Sequence, residues 1–242
     1  MSGLEIRNLT KRFDGHVVLK DISLTIEDGQ FICIIGTSGC GKTTFLRALG
    51  GFEEYEGDIF HDGEMVHTPS PKRFMVFQDL NQLLPWKTVR DNILIGEKSE
   101  GFAETYSVDY LISLVGLDGF KNYYPHQLSG GMKQRVAIAR ALYMNPSVLL
   151  MDEPFGSLDA HTRREMRVEL LRIWDDVKKT IVFVTHNIRE SILLGDRIIV
   201  FSNEGEIKAD IPIELSRPRN GTDHDFAEYW NRILPILKLT ET

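Results

Sequence analysis

Apolar and polar residues alternate along Leu4–Leu9 and again along Val17–Ile26. A period of two predicts strands with one face in a core and the other in water. The pattern then changes. Phe31-Ile32-Cys33-Ile34-Ile35 is apolar without a break and stops at Gly36, as expected of a strand covered on both faces of a sheet. Four more short runs share that character: Phe74–Phe77, Val148–Met151, Ile181–Val184 and Ile198–Phe201. Between them the period lengthens. Arg47, Ala48 and Leu49 close a short helical pattern, Val136, Ala139 and Tyr143 share one helix face, and Met166, Leu170, Trp174 and Val177 share another. Buried strands alternating with helices predict an α/β chain with a mostly parallel sheet. From about Val89 to Met144 no such run occurs, which predicts a helical insertion. Phe226, Trp230, Ile233, Leu234 and Leu237 predict one closing helix, with Pro235 late in it.

Composition narrows the function classes. At 242 residues the chain can bury a full core as one domain with a subdomain. A net charge of -7 argues against the electrostatic footprint of a DNA- or RNA-binding protein. No apolar run approaches the ~18 residues that would read as a membrane span, so any membrane role is expected to come through a partner. Met1–Glu5 lacks the charged and apolar regions of an export signal. The two cysteines, Cys33 and Cys40, form no CxxC pair, which disfavours disulfide and zinc scaffolds and suits a reducing cytoplasm.

The first chemical motif follows the first buried strand. Gly36-Thr37-Ser38-Gly39-Cys40-Gly41-Lys42-Thr43 matches GxxxxGK[ST] in full. Its glycines let the loop curl until several backbone N–H groups point inward at a phosphate. The helix that follows, with Thr44 in its first turn, adds its positive end. Lys42 is expected to reach the β- and γ-phosphates of ATP and the Thr43 hydroxyl to hold Mg²⁺. Cys40, beside a helix N-terminus in an anion site, is expected to have a lowered pKa and raised reactivity; as a small filler it would need neither. Cys33, inside a buried strand, is expected to stay unmodified.

The second motif is Val148-Leu149-Leu150-Met151-Asp152-Glu153. An apolar strand ending in carboxylates places Asp152 at the edge of the sheet where α/β ligands bind. There Asp152 suits Mg²⁺ through a water, and Glu153 suits orienting and deprotonating an attacking water. The same pair also reads as a solvated strand end. The third motif, Leu128-Ser129-Gly130-Gly131-Met132-Lys133-Gln134-Arg135, leads into a helix. Ser129 makes an ordinary N-cap, but each glycine in a first turn sacrifices up to about 1 kcal/mol of helix propensity relative to Ala. Bare N–H groups open to an anion account for both glycines.

With that motif the chain resembles the ABC ATPase family over essentially its whole length. LSGGMKQR is similar to the family's signature sequence, which caps the γ-phosphate of the ATP bound to the opposite protomer. The resemblance assigns Phe13 to the aromatic position that stacks on adenine and Gln78 to the loop glutamine that senses Mg²⁺ and the attacking water. It assigns Ser157-Leu158-Asp159 to the D-loop, which brings Asp159 to the nucleotide, and His186 to the switch histidine. It implies a P-loop NTPase fold of the α/β class, with a mostly parallel core sheet, an N-terminal antiparallel β part and a helical subdomain. Residues 1–242 would form one such domain, with the subdomain at about 89–144 and a closing helical segment at about 222–238. It further implies two protomers meeting head to tail around two ATP molecules, Glu153 as general base, and His186 holding phosphate and water in register.

A finer resemblance concerns Phe77–Trp86 with Thr88-Val89, and Gln127–Leu142. Both segments resemble importer ATPases of the nitrate, sulfonate and taurine branch, and relatives importing thiamine precursors share much of the pattern. The chain ends soon after its last sheet strand, so no large regulatory domain is expected. The implied partners are integral membrane permease subunits, an extracytoplasmic solute-binding protein acting through them, and a second copy of the chain, at the cytoplasmic face of the membrane. The competing readings are a soluble ABC ATPase acting on nucleic acid and one serving scaffold assembly. Leu83, Leu84, Pro85 and Trp86 serve either as core of the helical insertion or as an apolar anchor for a permease helix.

Overall fold

Alternation of apolar residues builds the first sheet. In the computed structural model, which describes residues 3–77, 82–97, 105–156 and 158–238, β1 (Gly3–Phe13) and β2 (His16–Glu27) pair antiparallel. Leu4, Ile6 and Leu9 of β1 are buried with Leu19, Ile22, Leu24 and Ile26 of β2. Asp14 and Gly15 both take φ > 0, at 47° and 83°, the backbone that a two-residue hairpin requires. β4 (Glu56–His61) lies antiparallel on the other side of β1, and the short β5 (Glu64–Met65) completes the order β2-β1-β4-β5.

The described chain divides into two compact units, Met1–Ser70 with Thr180–Thr242, and Pro71–Lys179. In the first, β3 (Phe31–Ile35) is buried at every residue and runs parallel to β8 (Thr180–Val184) on one side and β9 (Arg197–Phe201) on the other. β10 (Ile207–Pro212) adds antiparallel to β9. Covering helices are α1 (Lys42–Gly50), α6 (Ile188–Leu194) and α7 (His224–Lys238). Phe45 of α1 meets Phe201 of β9 edge to face with centroids 5.3 Å apart, which locks α1 onto the sheet.

In the second unit β6 (Arg73–Val76) pairs parallel with β7 (Val148–Asp152). Its helices are α2 (Val89–Ile93), α3 (Val108–Leu114), α4 (Gly130–Tyr143) and α5 (Ala160–Val177). Among the described residues from 89 to 144 there is no strand. α4 buries residues on nearly every side, from Val136 to Tyr143, as a helix does inside a core. α5 buries a stripe instead, Met166, Leu170, Ile173 and Trp174, and ends at Lys178 in the left-handed region.

Candidate functional site

In the first unit the buried β3 ends and the chain turns through Gly36, Thr37, Ser38, Gly39 and Cys40 into α1. The turn is close against β2. Gly41, the N-cap of α1, has φ 95°, and a Cβ there would lie 2.7 Å from the carbonyl oxygen of Val18, so only glycine fits. No side chain caps α1, which leaves its first N–H groups for an anion. Lys42 folds back over the loop. It is 6% exposed, and its Nζ donates to the carbonyls of Gly36 at 2.9 Å and Thr37 at 2.7 Å. The loop therefore carries its own cation, with Thr43 and Thr44 half-buried just behind it. Thr37, Ser38, Gly39 and Cys40 line a cavity of about 390 Å³ with Asn203, whose side chain is hydrogen-bonded to the Thr37 hydroxyl.

His186 belongs to the same unit and to the neighbouring strand end. β8 pairs in register with β3, Val184 opposite Ile34, and the Thr185 N–H donates to the Ile34 carbonyl at 3.1 Å. The buried Thr185 hydroxyl donates to Glu190 Oε2 at 2.7 Å and accepts from the Asn187 N–H at 3.1 Å, while Asn187 caps α6. Held on both sides, the turn presents His186 at the surface. Phe13 ends β1 beside the hairpin turn, 43% exposed, with Lys11 Nζ 4.6 Å above its ring.

In the second unit Asp152 closes β7, buried, and Glu153 follows in the left-handed region with φ 41°. Among the described residues the other positive φ values outside glycine fall on Asn or Asp, except at Lys178, the C-cap of α5. A glutamate held there costs about 1–3 kcal/mol, an expense seen mainly where function demands it. β6 ends at Val76 opposite Met151; Gln78 and Ser157 lie outside the described residues. Ser129 caps α4, its hydroxyl accepting from the Met132 N–H at 3.3 Å. Ser129 is exposed and Gly130 half-buried, but Gly131 is buried. A Cβ on Gly131 would come within 2.6 Å of Thr162 Cγ2, so packing against α5 gives a second reason for that glycine. Asp159 caps α5, accepting from the N–H groups of His161 and Thr162 and from the Thr162 hydroxyl. The Thr162 hydroxyl, first, and the backbone donors hold its carboxyl below the usual range.

Residues 19–156 match the family described as ABC transporter. The chain belongs to that family. It is 45% identical over 219 residues to the aliphatic sulfonates import ATP-binding protein of Bacillus thuringiensis subsp. konkukian, spanning 90% of this chain and 87% of the relative. It is 42% identical over 221 residues to the nitrate import ATP-binding protein of Synechococcus elongatus, spanning 87% and 80%. A dimeric ATP-binding cassette solved in a post-hydrolysis state with ADP and Pi superposes with a TM-score of 0.73 at 31% identity, covering 88% of this chain and all of that one. The chain is thus an ABC ATPase, and its reaction is ATP hydrolysis coupled to transport. No helix among the described residues is long and apolar enough to cross a membrane.

Within the ABC ATPase one residue of the loop, Cys40, differs from expectation. Cys40 is 2% exposed, and burial pushes its thiol up despite the counteracting charge of Lys42. The lowered pKa expected from the helix N-terminus is therefore overturned: desolvation outweighs the adjacent ammonium. Cys33 is fully buried and pushed up as well. Neither cysteine is expected to react with iodoacetamide near neutral pH in the native protein, and both are expected to react after unfolding, as read by mass spectrometry. Rapid native labelling of Cys40 would contradict this. Asn203 is the residue that sequence reasoning missed; Ser202-Asn203-Glu204-Gly205 reads only as a turn.

Proposed function

We propose that this ABC ATPase works as a head-to-tail dimer that powers uptake of a small anionic solute, of the nitrate, sulfonate or taurine class, through separate membrane subunits and a solute-binding protein. The observation that carries the solute class is the identity to sulfonate and nitrate import ATP-binding proteins over nearly nine-tenths of the chain. Each ATP would be held by the Gly36–Thr44 loop and Lys42, with its adenine on Phe13 and with Ser129–Gly131 of the second copy closing over the γ-phosphate. Mg²⁺, when bound with ATP, would supply positive charge to the phosphates. The Thr43 hydroxyl, the Gln78 amide and the Asp152 carboxylate would be its donors, being the hard oxygen ligands that this ion prefers. Asp152 ends β7 at the sheet edge where α/β ligands bind, which fits the role. Glu153 orients and deprotonates the attacking water, and His186 holds water and γ-phosphate in register.

Coupling to the membrane falls to the segment before α2. Asn92, fully buried, donates to the carbonyls of Leu84, Lys87 and Thr88 and accepts from the Leu84 N–H. That clamp fixes the turn, with Leu83 in the core and Trp86 outside at 70% exposure. A rigidly presented tryptophan outside the core suits the anchor of a permease helix. Trp86→Ala is expected to leave the thermal stability and basal hydrolysis of the isolated subunit near wild type. In the reconstituted transporter, partner-stimulated hydrolysis and transport should fall together by about tenfold or more, the loss of one interface hot spot. A marked drop in Tm would return Trp86 to the core, and full transport would move the contact elsewhere.

The whole reading is tested by purification from native membranes. An integral permease should accompany the subunit, and hydrolysis in the reconstituted complex should rise with anionic solutes presented on their binding protein. Stimulation by DNA or RNA, without any integral partner, would favour a nucleic-acid function instead.

A further inference from the structure

We propose that Thr162 is a positioning residue that ties the Ser129–Gly131 turn to the Asp159 cap, so that the missing side chain of Gly131 serves the contact between α4 and α5. The proposal rests on the reading of the Ser129–Gly131 turn as part of the nucleotide site, and adds what holds that turn in place.

The geometry is a short chain of contacts within one unit. The Thr162 methyl lies where it would meet a Cβ of residue 131 at 2.6 Å, far inside ordinary van der Waals distance. A threonine side chain could swing away from such a clash, but here its other branch is engaged. The Thr162 hydroxyl donates to Asp159 Oδ2 at 2.7 Å, and a β-branched side chain in a helix has few alternative rotamers. The second carboxylate oxygen of Asp159 accepts from the N–H groups of His161 at 3.0 Å and Thr162 at 3.1 Å. Arg163 holds the same turn from behind, donating to the carbonyls of Phe155 and Leu158. One rotatable bond, χ1 of Thr162, therefore connects two segments. Any displacement of the first turn of α4 toward α5 must either rotate Thr162 off Asp159 or push α5 back. Burial agrees with this division: Gly131 is buried towards α5, whereas Gly130 is half-buried and Ser129 exposed.

A compensating pair of substitutions tests the link. Gly131→Ala adds the offending methyl, and Thr162→Ser removes the methyl it would strike while keeping the hydroxyl for Asp159. Gly131→Ala alone is expected to lower kcat for ATP by about tenfold or more, the scale of an overpacked contact, with the loss falling on kcat rather than KM. The Gly131→Ala/Thr162→Ser double variant should return to within about threefold of Thr162→Ser alone, volume having been conserved across the contact. Gly131→Ala/Thr162→Val, which keeps the methyl and loses the hydroxyl, should show no recovery. If Gly131→Ala does not fold, recovery of folded, active protein in the first double variant, and not in the second, supports the link equally. A double variant as inactive as Gly131→Ala overturns the link while leaving the nucleotide reading of the turn intact. Full activity of Gly131→Ala likewise overturns the link and leaves the nucleotide reading to the test by purification from native membranes.

Discussion

Replacing Lys42 by alanine is expected to lower ATP hydrolysis by about a hundredfold or more, the scale of losing a fixed group that stabilises transition-state charge. Nucleotide affinity should weaken by roughly 10–100-fold, since hydrogen bonds from charged groups contribute about 1.5–3 kcal/mol each. Two effects combine. The phosphate site loses its ammonium, and the Gly36 and Thr37 carbonyls lose the donor that holds the loop's curvature. Lys42→Arg separates them. It keeps the charge, yet its larger planar head cannot occupy the same buried niche, so it should restore little. Turnover of Lys42→Ala within a fewfold of wild type, measured on folded protein, would remove the loop from the mechanism.

Glu153 offers a second large effect with two opposite signs. Glu153→Gln keeps shape and hydrogen bonding but not the base, and should lower kcat by about 10²–10⁴-fold, the usual contribution of positioned acid–base catalysis. ATP should still bind, and an ATP-dependent dimer should persist in light scattering. Glu153→Gly should be as inactive while gaining stability, because glycine takes φ 41° without penalty. Relief of about 1 kcal/mol corresponds to a rise in Tm of about 2–4 °C in a chain of this size. A Glu153→Gly protein that melts lower than wild type would mean that the side chain contributes more to packing than its backbone costs. Wild-type hydrolysis by Glu153→Gln would reduce Glu153 to a strand-end carboxylate.

Strands covered on both faces were legible because their signal is local: Phe31–Ile35 and Val148–Met151 need nothing beyond their own composition. β4, β5 and β10 were not, since Glu56–His61 and Ile207–Pro212 mix charges with few apolar residues and take their identity from a neighbour. The phosphate-binding loop stood out through glycine spacing, which encodes backbone geometry directly. Cys40 did not yield to the same logic. Its position beside a helix N-terminus is written in the sequence, but its burial comes from tertiary packing. Gly131 differs again: an empty Cβ position marks close approach without saying what approaches, and only the fold identifies Thr162.

The order of strands has a consequence for synthesis of the chain. β3 leads into the nucleotide loop, yet its neighbours begin with Phe31 paired to Ile181 and Ile32 paired to Arg197. A ribosome adding ~5–20 residues per second needs roughly eight to thirty seconds to cross that interval. For that time the nascent chain carries an apolar segment with two unpaired edges, the kind of segment that self-associates. The intervening Pro71–Lys179 segment is continuous in the chain and can collapse first. The loop that binds ATP is therefore among the last parts of the protein to gain its support, and newly made chains should depend on chaperones most during that interval.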